Sequence, residues 1–243
     1  LGSRGLGDVY KRQMAAHTEH PGGYWTSIHR PIVAFDRTLG EGVPAVRSDH
    51  EQGGRLIARQ LIDSGARHVV LVGGPRSQFA EATTFPTIRY HLTVERMLAD
   101  AGIACDYVEA GIVADICAHE ATARAIFERY SDVDAIVGSD LVASVALQEA
   151  LRRGISVPRD LQIIAYDGTF MAETAGMRLT AVRQDFPAVA AALASRMDSQ
   201  IAADNGTTSA AAAEGGNAVA ANGGQSTSED IISVTLIPGE TTR

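Results

Sequence analysis

Residues 135–167 read AIVGSDLVASVALQEALRRGISVPRDLQIIAYD, and this stretch decides the fold class of the chain. Two uninterrupted apolar runs, 135–137 and 163–166, flank an amphipathic segment. Such runs are typical of strands buried on both faces of a parallel sheet. Asp140 and Asp167 follow the two runs. Because ligands of open α/β sheets bind beyond the carboxyl ends of the strands, we expect both carboxylates to face one shared pocket.

The same alternation of strand and helix extends in both directions from this unit. The predicted strands are 31–37, 68–75, 106–111 and 230–238, and the predicted helices are 50–64, 88–100, 118–130, 141–153 and 187–203. Helices of about four turns between buried strands predict an α/β fold, with a parallel sheet covered on both faces.

Three segments do not follow this alternation. Residues 1–13 lead into no periodic segment, and residues 8–13 translate back into what looks like a transposase recognition end, so we interpret 1–13 as a non-native leader. The alternative is a natural flexible terminus. Residues 14–30 are polar and predicted to be irregular. Residues 204–229 contain almost no large apolar side chain, which predicts a flexible insertion before the last strand.

Composition excludes several classes of protein. A net charge of -8 over 243 residues argues against duplex binding by this segment, because nucleic-acid affinity depends on a basic surface. Cys105 and Cys117 are not spaced as a metal or redox pair and fit a reducing cytoplasm. No apolar run approaches the ~18 residues of a membrane span, and no signal peptide is recognisable. We therefore expect a cytoplasmic protein without membrane contact.

Acidic or amide residues stand after several predicted strands: Asp36, Asp140, Asp167 and Gln184. A hydrogen bond to a charged group contributes about 1.5–3 kcal/mol, so a few such groups would select a polyol or sugar. The alternative is that each residue caps the helix after it. Both interpretations stay open for Asp140. At Asp167, no clear helix start follows, which favours a ligand or hinge role.

Motifs of catalysis are missing from the sequence. We find no phosphate loop, no GxGxxG after a strand and no GxSxG elbow, and Ser139 lacks an assignable base. The histidines, including His50, His68 and His119, are scattered and are interpreted as solvated or core-edge residues. We therefore predict no catalytic residue, no metal site and no cofactor.

Taken in order, the motifs resemble those of one family. PIVAFDR, SDHEQGGRLIARQLIDSGARHVVLVGGP, DAIVGSD, ALRRGISVPRDLQIIAYD, LTAVRQDF and LIPGETTR are similar to segments of the effector-binding domain of LacI/GalR (lactose repressor) family regulators. The resemblance implies the two-lobed fold of type I periplasmic binding proteins, with three crossovers. It assigns 31–75 to the remainder of an incomplete N-terminal lobe, 76–180 to the C-terminal lobe, and 181–243 to segments completing both.

The resemblance also implies a set of ligand-binding residues between the lobes. Arg89 matches the ligand-gripping arginine of the family, although RYHLT lacks the usual glycine after it. The full implied set is Gln52, Arg89, Ser139, Asp140, Asp167, Gln184 and Phe186.

In function, the resemblance implies a ligand-sensing and dimerisation domain of a transcription regulator. A small-molecule effector, a sugar or related polar metabolite, would favour one lobe angle by population shift. Helices 141–153 and 50–64 are candidates for homodimer contacts. Operator DNA would be bound only through a helix-turn-helix headpiece, which is missing from this sequence. The alternative is the sugar-binding protein of an ABC-type transporter, which shares the fold.

Overall fold

The computed structural model describes residues 25, 27, 28, 30–39, 42–76, 87–110, 115–213 and 229–243. Only the backbone is described for residues 87 and 204–213. The predicted leader at 1–13 lies outside the described residues, as does most of the irregular segment at 14–30.

Nine strands and six helices make up this part of the chain. The strands are β1 (Ala34–Phe35), β2 (Ala45–Ser48), β3 (His68–Gly73), β4 (Ala104–Glu109), β5 (Ala135–Ser139), β6 (Gln162–Asp167), β7 (Thr180–Gln184), β8 (Glu229–Ile232) and β9 (Val234–Ile237). The helices are α1 (His50–Asp63), α2 (Thr87–Asp100), α3 (Ile116–Arg129), α4 (Asp140–Arg152), α5 (Phe170–Thr174) and α6 (Phe186–Ala213). They form a three-stranded sheet, β1-β2-β8, and a six-stranded sheet, β4-β3-β5-β6-β7-β9.

The six-stranded sheet is covered by apolar side chains on both faces. Successive residues of β3 alternate between two cores: Val69 and Leu71 belong to the one that includes α1 and α2, whereas Val70 and Val72 belong to the one that includes α3 and α4. An uninterrupted apolar strand is expected to do this, because neighbouring side chains point to opposite faces. The predicted α/β class with a doubly covered sheet is confirmed.

The chain crosses three times between the two sheets, after β2, after β7 and after β8. The last crossing corrects a prediction, because the single strand expected at 230–238 is two strands separated by Ser233. β8 pairs in parallel with β2, whereas β9 runs antiparallel to β7. The six-stranded sheet is therefore not purely parallel, because its last strand runs against its neighbour.

The division of the sheets differs from the predicted boundary after residue 75. β3 lies between β4 and β5 in the six-stranded sheet, and α1 packs against α2 and β9. Both therefore belong with the larger sheet, although 31–75 was assigned to the N-terminal lobe. The physical reason is that β3 is apolar on both faces and needs helices on either side.

Helix α6 is longer than the sequence predicts. It was expected to end at residue 203 but continues to Ala213, so the first ten residues of the predicted loop at 204–229 are helical. Alanine, which has the highest helix propensity, occupies only residues 210–213 of this extension, and the preceding DNGTTS is a poor helix former, so propensity does not explain the extension. At the other end of the predicted loop, Glu229 is the first residue of β8. Residues 214–228 lie outside the described residues.

Candidate functional site

Polar residues at the carboxyl ends of strands from both sheets meet where the sheets face each other. Ser48 ends β2 of the three-stranded sheet, and Asp167 and Gln184 end β6 and β7 of the six-stranded sheet. The hydroxyl of Ser48 donates to Oε1 of Gln184 at 2.7 Å, and Nε2 of Gln184 donates to Oδ1 of Asp167 at 2.7 Å. These bonds form a continuous polar chain from one sheet to the other.

A second polar chain joins the sheets beside the first. Nε2 of His50 lies 2.7 Å from Oδ1 of Asp36, which follows β1, and Nδ1 of His50 lies 2.7 Å from the hydroxyl of Tyr166 in β6. A neutral His50 satisfies this arrangement, with Tyr166 donating to Nδ1 and Nε2–H donating to Asp36. The tautomer is assigned from these partners. Burial, and then the charge of Asp167, raise the pKa of Tyr166, so its hydroxyl keeps the proton that it donates.

The ring of Tyr166 is fixed from two sides. It stacks on Tyr90 of α2, with ring centroids 3.9 Å apart and planes 6° apart. On α1, a Cβ atom added at Gly53 would lie 2.8 Å from Cε2 of Tyr166. Only a glycine lets the helix come this close, so the hydroxyl group that reaches His50 has little freedom to move.

The backbone has a positive φ angle at both aspartates that end these chains. Asp36 has a φ of 57° and Asp167 a φ of 114°. Positive φ is uncommon outside glycine and costs energy, which the surrounding structure must supply. The two strained aspartates lie in different sheets yet belong to the same polar cluster. This coincidence points to a functional use of the cluster.

Asp167 has the largest shift among the aspartates of this cluster. Burial raises its pKa to about 7, and the negative charge of Asp140 adds to this effect, while the hydrogen bond from Gln184 opposes it. Among the described residues, its second oxygen, Oδ2, receives no hydrogen bond. The protonated and ionised forms of Asp167 are therefore both accessible near neutral pH, and one oxygen stays available to a ligand.

Asp140 organises the loop that follows Asp167. Its Oδ1 accepts from the backbone N–H of Gly168, and its Oδ2 accepts from the backbone N–H and the hydroxyl of Thr169, at 3.1, 2.6 and 2.7 Å. The alternative in which Asp140 caps α4 is wrong, because Ser139 is the N-cap and accepts from Val142. A short helix, α5, follows Asp167 after all, with Thr169 as its N-cap.

Gln52 and Arg89 lie on the helices at the other side of the cluster. Oε1 of Gln52 accepts from the backbone N–H of Val234 at 2.9 Å, which ties α1 to β9. Arg89 donates to Oε1 of Glu51 at 3.0 Å, and Glu51 also accepts from Arg47. Although partial burial acts in the opposite direction, the bond from Arg89 and the charge of Arg47 bring the pKa of Glu51 down to about 2. Glu51 is therefore ionised and neutralises part of the charge of both arginines.

Two phenylalanines are exposed near the strand ends. Phe186 begins α6, two residues after Gln184, and is 43% exposed, whereas Phe170 begins α5 and is 75% exposed.

Of the predicted ligand residues, the structure brings Asp140, Asp167 and Gln184 into one cluster. It places Gln52 and Arg89 in contacts with neighbouring elements. Ser139 is used as a helix cap.

The sequence did not point to several members of the cluster. His50 was interpreted as solvated or at the edge of the core, but it is fully buried and bonded through both ring nitrogens. Ser48 was not predicted to be a site residue, and the neighbouring Asp49 caps α1. Asp36 was noted as a polar residue after a strand but was not chosen as a site residue. The available signal was SDH at 48–50, a polar run at a junction of strand and helix.

The described part of the chain offers no group of three or more histidine, cysteine, aspartate or glutamate side chains that could hold a metal ion. Within those same ranges, none of the helices combines the length and the apolar character needed to cross a membrane.

Comparison with known proteins connects this geometry to a family. The periplasmic binding protein-like domain family matches the chain over residues 58–216. The sucrose operon repressor of Streptococcus mutans is 28% identical over 166 residues, which are 68% of this chain and 49% of that protein. The ribose operon repressor of Bacillus subtilis is 34% identical over 146 residues, 59% of this chain and 42% of that protein. The chain thus spans less than half the length of these two relatives.

The fold is also found among solved structures. A LacI family transcriptional regulator from Enterococcus faecium, solved with bound ribose, has a TM-score of 0.69 at 18% identity, covering 89% of this chain and 72% of that one. At this identity the likeness shows the fold alone. Together with the operon repressors, it confirms the resemblance to LacI/GalR effector-binding domains that the sequence motifs predicted.

Proposed function

The chain belongs to the periplasmic binding protein-like domain family, and we propose that it is the effector-sensing domain of a sugar-responsive transcription regulator. Two relatives are named as repressors of sucrose and ribose operons, which supports a sugar or a related polar metabolite as the effector. Such a protein binds its effector without chemical change, so no catalytic residue is assigned.

The observation that carries this proposal is the polar chain from Ser48 through Gln184 to Asp167. It lies at the carboxyl ends of strands from both sheets, where ligands of open α/β sheets bind. Hydroxyl groups of a sugar are both donors and acceptors and can bond to carboxylate and amide side chains of this kind. A ligand held there contacts both sheets at once and so interacts differently with each angle between them.

The proposed mechanism is a shift between lobe angles. A ligand changes a conformational equilibrium only to the extent that it binds one conformation better than the other. A ligand that touches only one sheet would bind all angles equally, whereas one that bonds to residues of both sheets favours the angle that brings them together. In a dimeric regulator, this angle would change the spacing of two DNA-binding headpieces.

The partners of the whole protein are part of the same proposal. The regulator is proposed to act in the cytoplasm as a homodimer and to bind operator DNA through a helix-turn-helix headpiece outside this sequence. The apolar faces of α1 and α4, considered above as dimer contacts, pack into the two cores of the six-stranded sheet. Dimer contacts of these helices would therefore involve their outer faces, where Leu151 of α4 is 48% exposed.

The alternative, a sugar-binding protein of an ABC-type transporter, uses the same fold, so the fold does not separate the two functions. The repressor relatives favour the regulator. The coding DNA upstream of residue 14 distinguishes them directly: a helix-turn-helix supports the regulator, and a secretory leader would overturn it.

Isothermal titration of the chain with D-ribose, sucrose and a panel of common mono- and disaccharides tests the ligand class. We expect saturable binding of at least one neutral sugar, and its loss in Asp167→Ala, because that change removes a carboxylate from the crevice. Asp63→Ala is the matched control, since Asp63 is an exposed aspartate at the end of α1. The proposal fails if no sugar binds, or if Asp167→Ala binds like the control.

A further inference from the structure

A second histidine with two polar partners lies at the opposite edge of the six-stranded sheet. His68 is the first residue of β3, so it lies at the amino ends of the parallel strands, away from the polar cluster. Its Nε2 lies 2.9 Å from Oδ2 of Asp106 in β4, and its Nδ1 lies 3.0 Å from Oδ1 of Asp132, which follows α3. The ring also meets Tyr130 at the end of α3 edge to face, with the centroids 5.5 Å apart. One side chain therefore connects β3, β4 and the end of α3.

The partners of His68 determine its protonation state. A neutral imidazole carries one N–H group and one lone pair, whereas both carboxylates that face this ring can only accept. One of the two contacts would therefore place a nitrogen lone pair against a carboxylate oxygen. The imidazolium ion, with two N–H groups, donates to both. His50 differs, because one of its partners is the hydroxyl of Tyr166, which donates to a neutral ring.

Other charged groups surround the ring, but they have partners of their own. Asp134, which precedes β5, accepts from the backbone N–H groups of Arg67 and His68 at 3.0 Å, and the side chain of Arg67 lies 3.7 Å from its Oδ2. The guanidinium of Arg129 lies over the ring of Tyr130, 5.0 Å from the centroid. The side chain of His68 is only 11% exposed. Its charge is therefore balanced mainly by the two carboxylates that it contacts.

The pKa of His68 agrees with this geometry. Burial alone would lower that pKa, because it disfavours the charged ring, but the hydrogen bonds to Asp106 and Asp132 outweigh it and raise the pKa above the ordinary 6.5. The same hydrogen bond lowers the pKa of Asp132. A group whose pKa is raised by folding stabilises the folded state below its unfolded pKa and loses this contribution as the pH rises through its folded pKa.

We propose that His68, Asp106 and Asp132 form a pH-sensitive clamp. In its charged form, His68 ties the end of α3 and the edge strand β4 to β3. When the ring loses its proton, it keeps an N–H group for one carboxylate and releases the other. Histidine suits such a role because its charge changes within the range of pH that cells experience. The clamp is separate from the proposed sugar site and does not depend on ligand binding.

NMR of the histidine ring protons tests the charge of the clamp in the whole chain. The signals of His68 are assigned by their loss in His68→Gln, and their titration midpoint is expected above 6.5. Asp132→Asn removes one partner charge and should lower the midpoint by about 0.2–0.7 pH unit, as expected of an exposed ion pair. Asp63→Asn, at the exposed end of α1, is the control and should leave the midpoint unchanged. A midpoint below 6.5, or one that Asp132→Asn does not lower, would overturn the clamp.

Thermal unfolding tests whether the charge stabilises the fold. The wild type should melt at a higher temperature than His68→Gln at about pH 5.5, and this difference should shrink by about 2–4 °C at about pH 9. Asp132→Asn, which keeps the histidine, should show a smaller change in the same direction. If the melting temperatures of wild type and His68→Gln differ by the same amount at both pH values, the ring contributes only packing and the clamp is contradicted.

Discussion

The two sheets of this protein are stabilised in different ways. The six-stranded sheet lies between two apolar cores, and the buried side chains of its central strands contribute to both. The three-stranded sheet has strands of two to four residues and a small apolar cluster around Ala34, Val43 and Ala45. Among the described residues, Ser48 of β2 and Asp230 of β8 connect it by hydrogen bonds to Gln184 and Arg196. Among the described residues, the larger sheet therefore has the larger apolar core, and we expect it to contribute more to stability.

The largest expected effect comes from a substitution in the core of the larger sheet. Ile164 is fully buried in β6, and truncation to alanine should lower the free energy of unfolding by about 2–5 kcal/mol. Ile231→Ala in β8 is the matched control, because Ile231 is 50% exposed and should cost less than about 0.5 kcal/mol. Urea denaturation followed by circular dichroism measures both. Equal losses would show that the two sheets are not stabilised differently.

An intermediate effect concerns pH. An acid whose folded pKa is raised above its unfolded value destabilises the protein as it ionises. With the pKa of Asp167 at about 7, ligand-free stability should fall as the pH rises from about 4 to 7 and then level off. Linkage sets an upper limit of roughly 4 kcal/mol, which local relaxation reduces. The difference in stability between the wild type and Asp167→Asn isolates this contribution, and a difference independent of pH would contradict it.

The smallest expected effect sharpens the description of the smaller sheet. Arg196 of α6 forms an ion pair with Asp230 of β8, and both side chains are about one-third exposed. Such pairs contribute little, so Arg196→Ala should leave global stability almost unchanged while amide hydrogen exchange in β8 becomes faster. Raising the salt concentration should produce the same local change in the wild type, because salt screens the pair. Faster exchange throughout β6 would instead mean that the two sheets open together.

The larger sheet could be predicted from the sequence because the apolar pattern that identifies each of its strands lies within that strand. HVVLV, AIVGS and QIIAY each show the uninterrupted apolar pattern of a doubly covered strand, and all three are strands in the structure. The split of 230–238 could not be predicted. ISVTL reads as one continuous strand, and only the partners β2 and β7 decide that Ser233 separates two.

The polar cluster was partly predictable for the same reason. Asp167 and Gln184 could be identified because each ends a recognisable strand. The role of His50 depends on Tyr166, 116 positions away along the chain, and a single sequence does not reveal such a pairing. Arg89 was predicted to grip the ligand, and this stays a prediction. In the structure it donates to Glu51, which lies in the HEQGG segment but was not singled out.

The single residue between β8 and β9 has a mechanical consequence. Ser233 leaves only a few backbone torsion angles between a strand of one sheet and a strand of the other. Any pivoting of the small sheet must be accommodated at this link and at the crossings after β2 and β7, and a large movement would pull β9 from its pairing with β7. A link this short limits how far the small sheet can turn, and a ligand would select among the angles that remain.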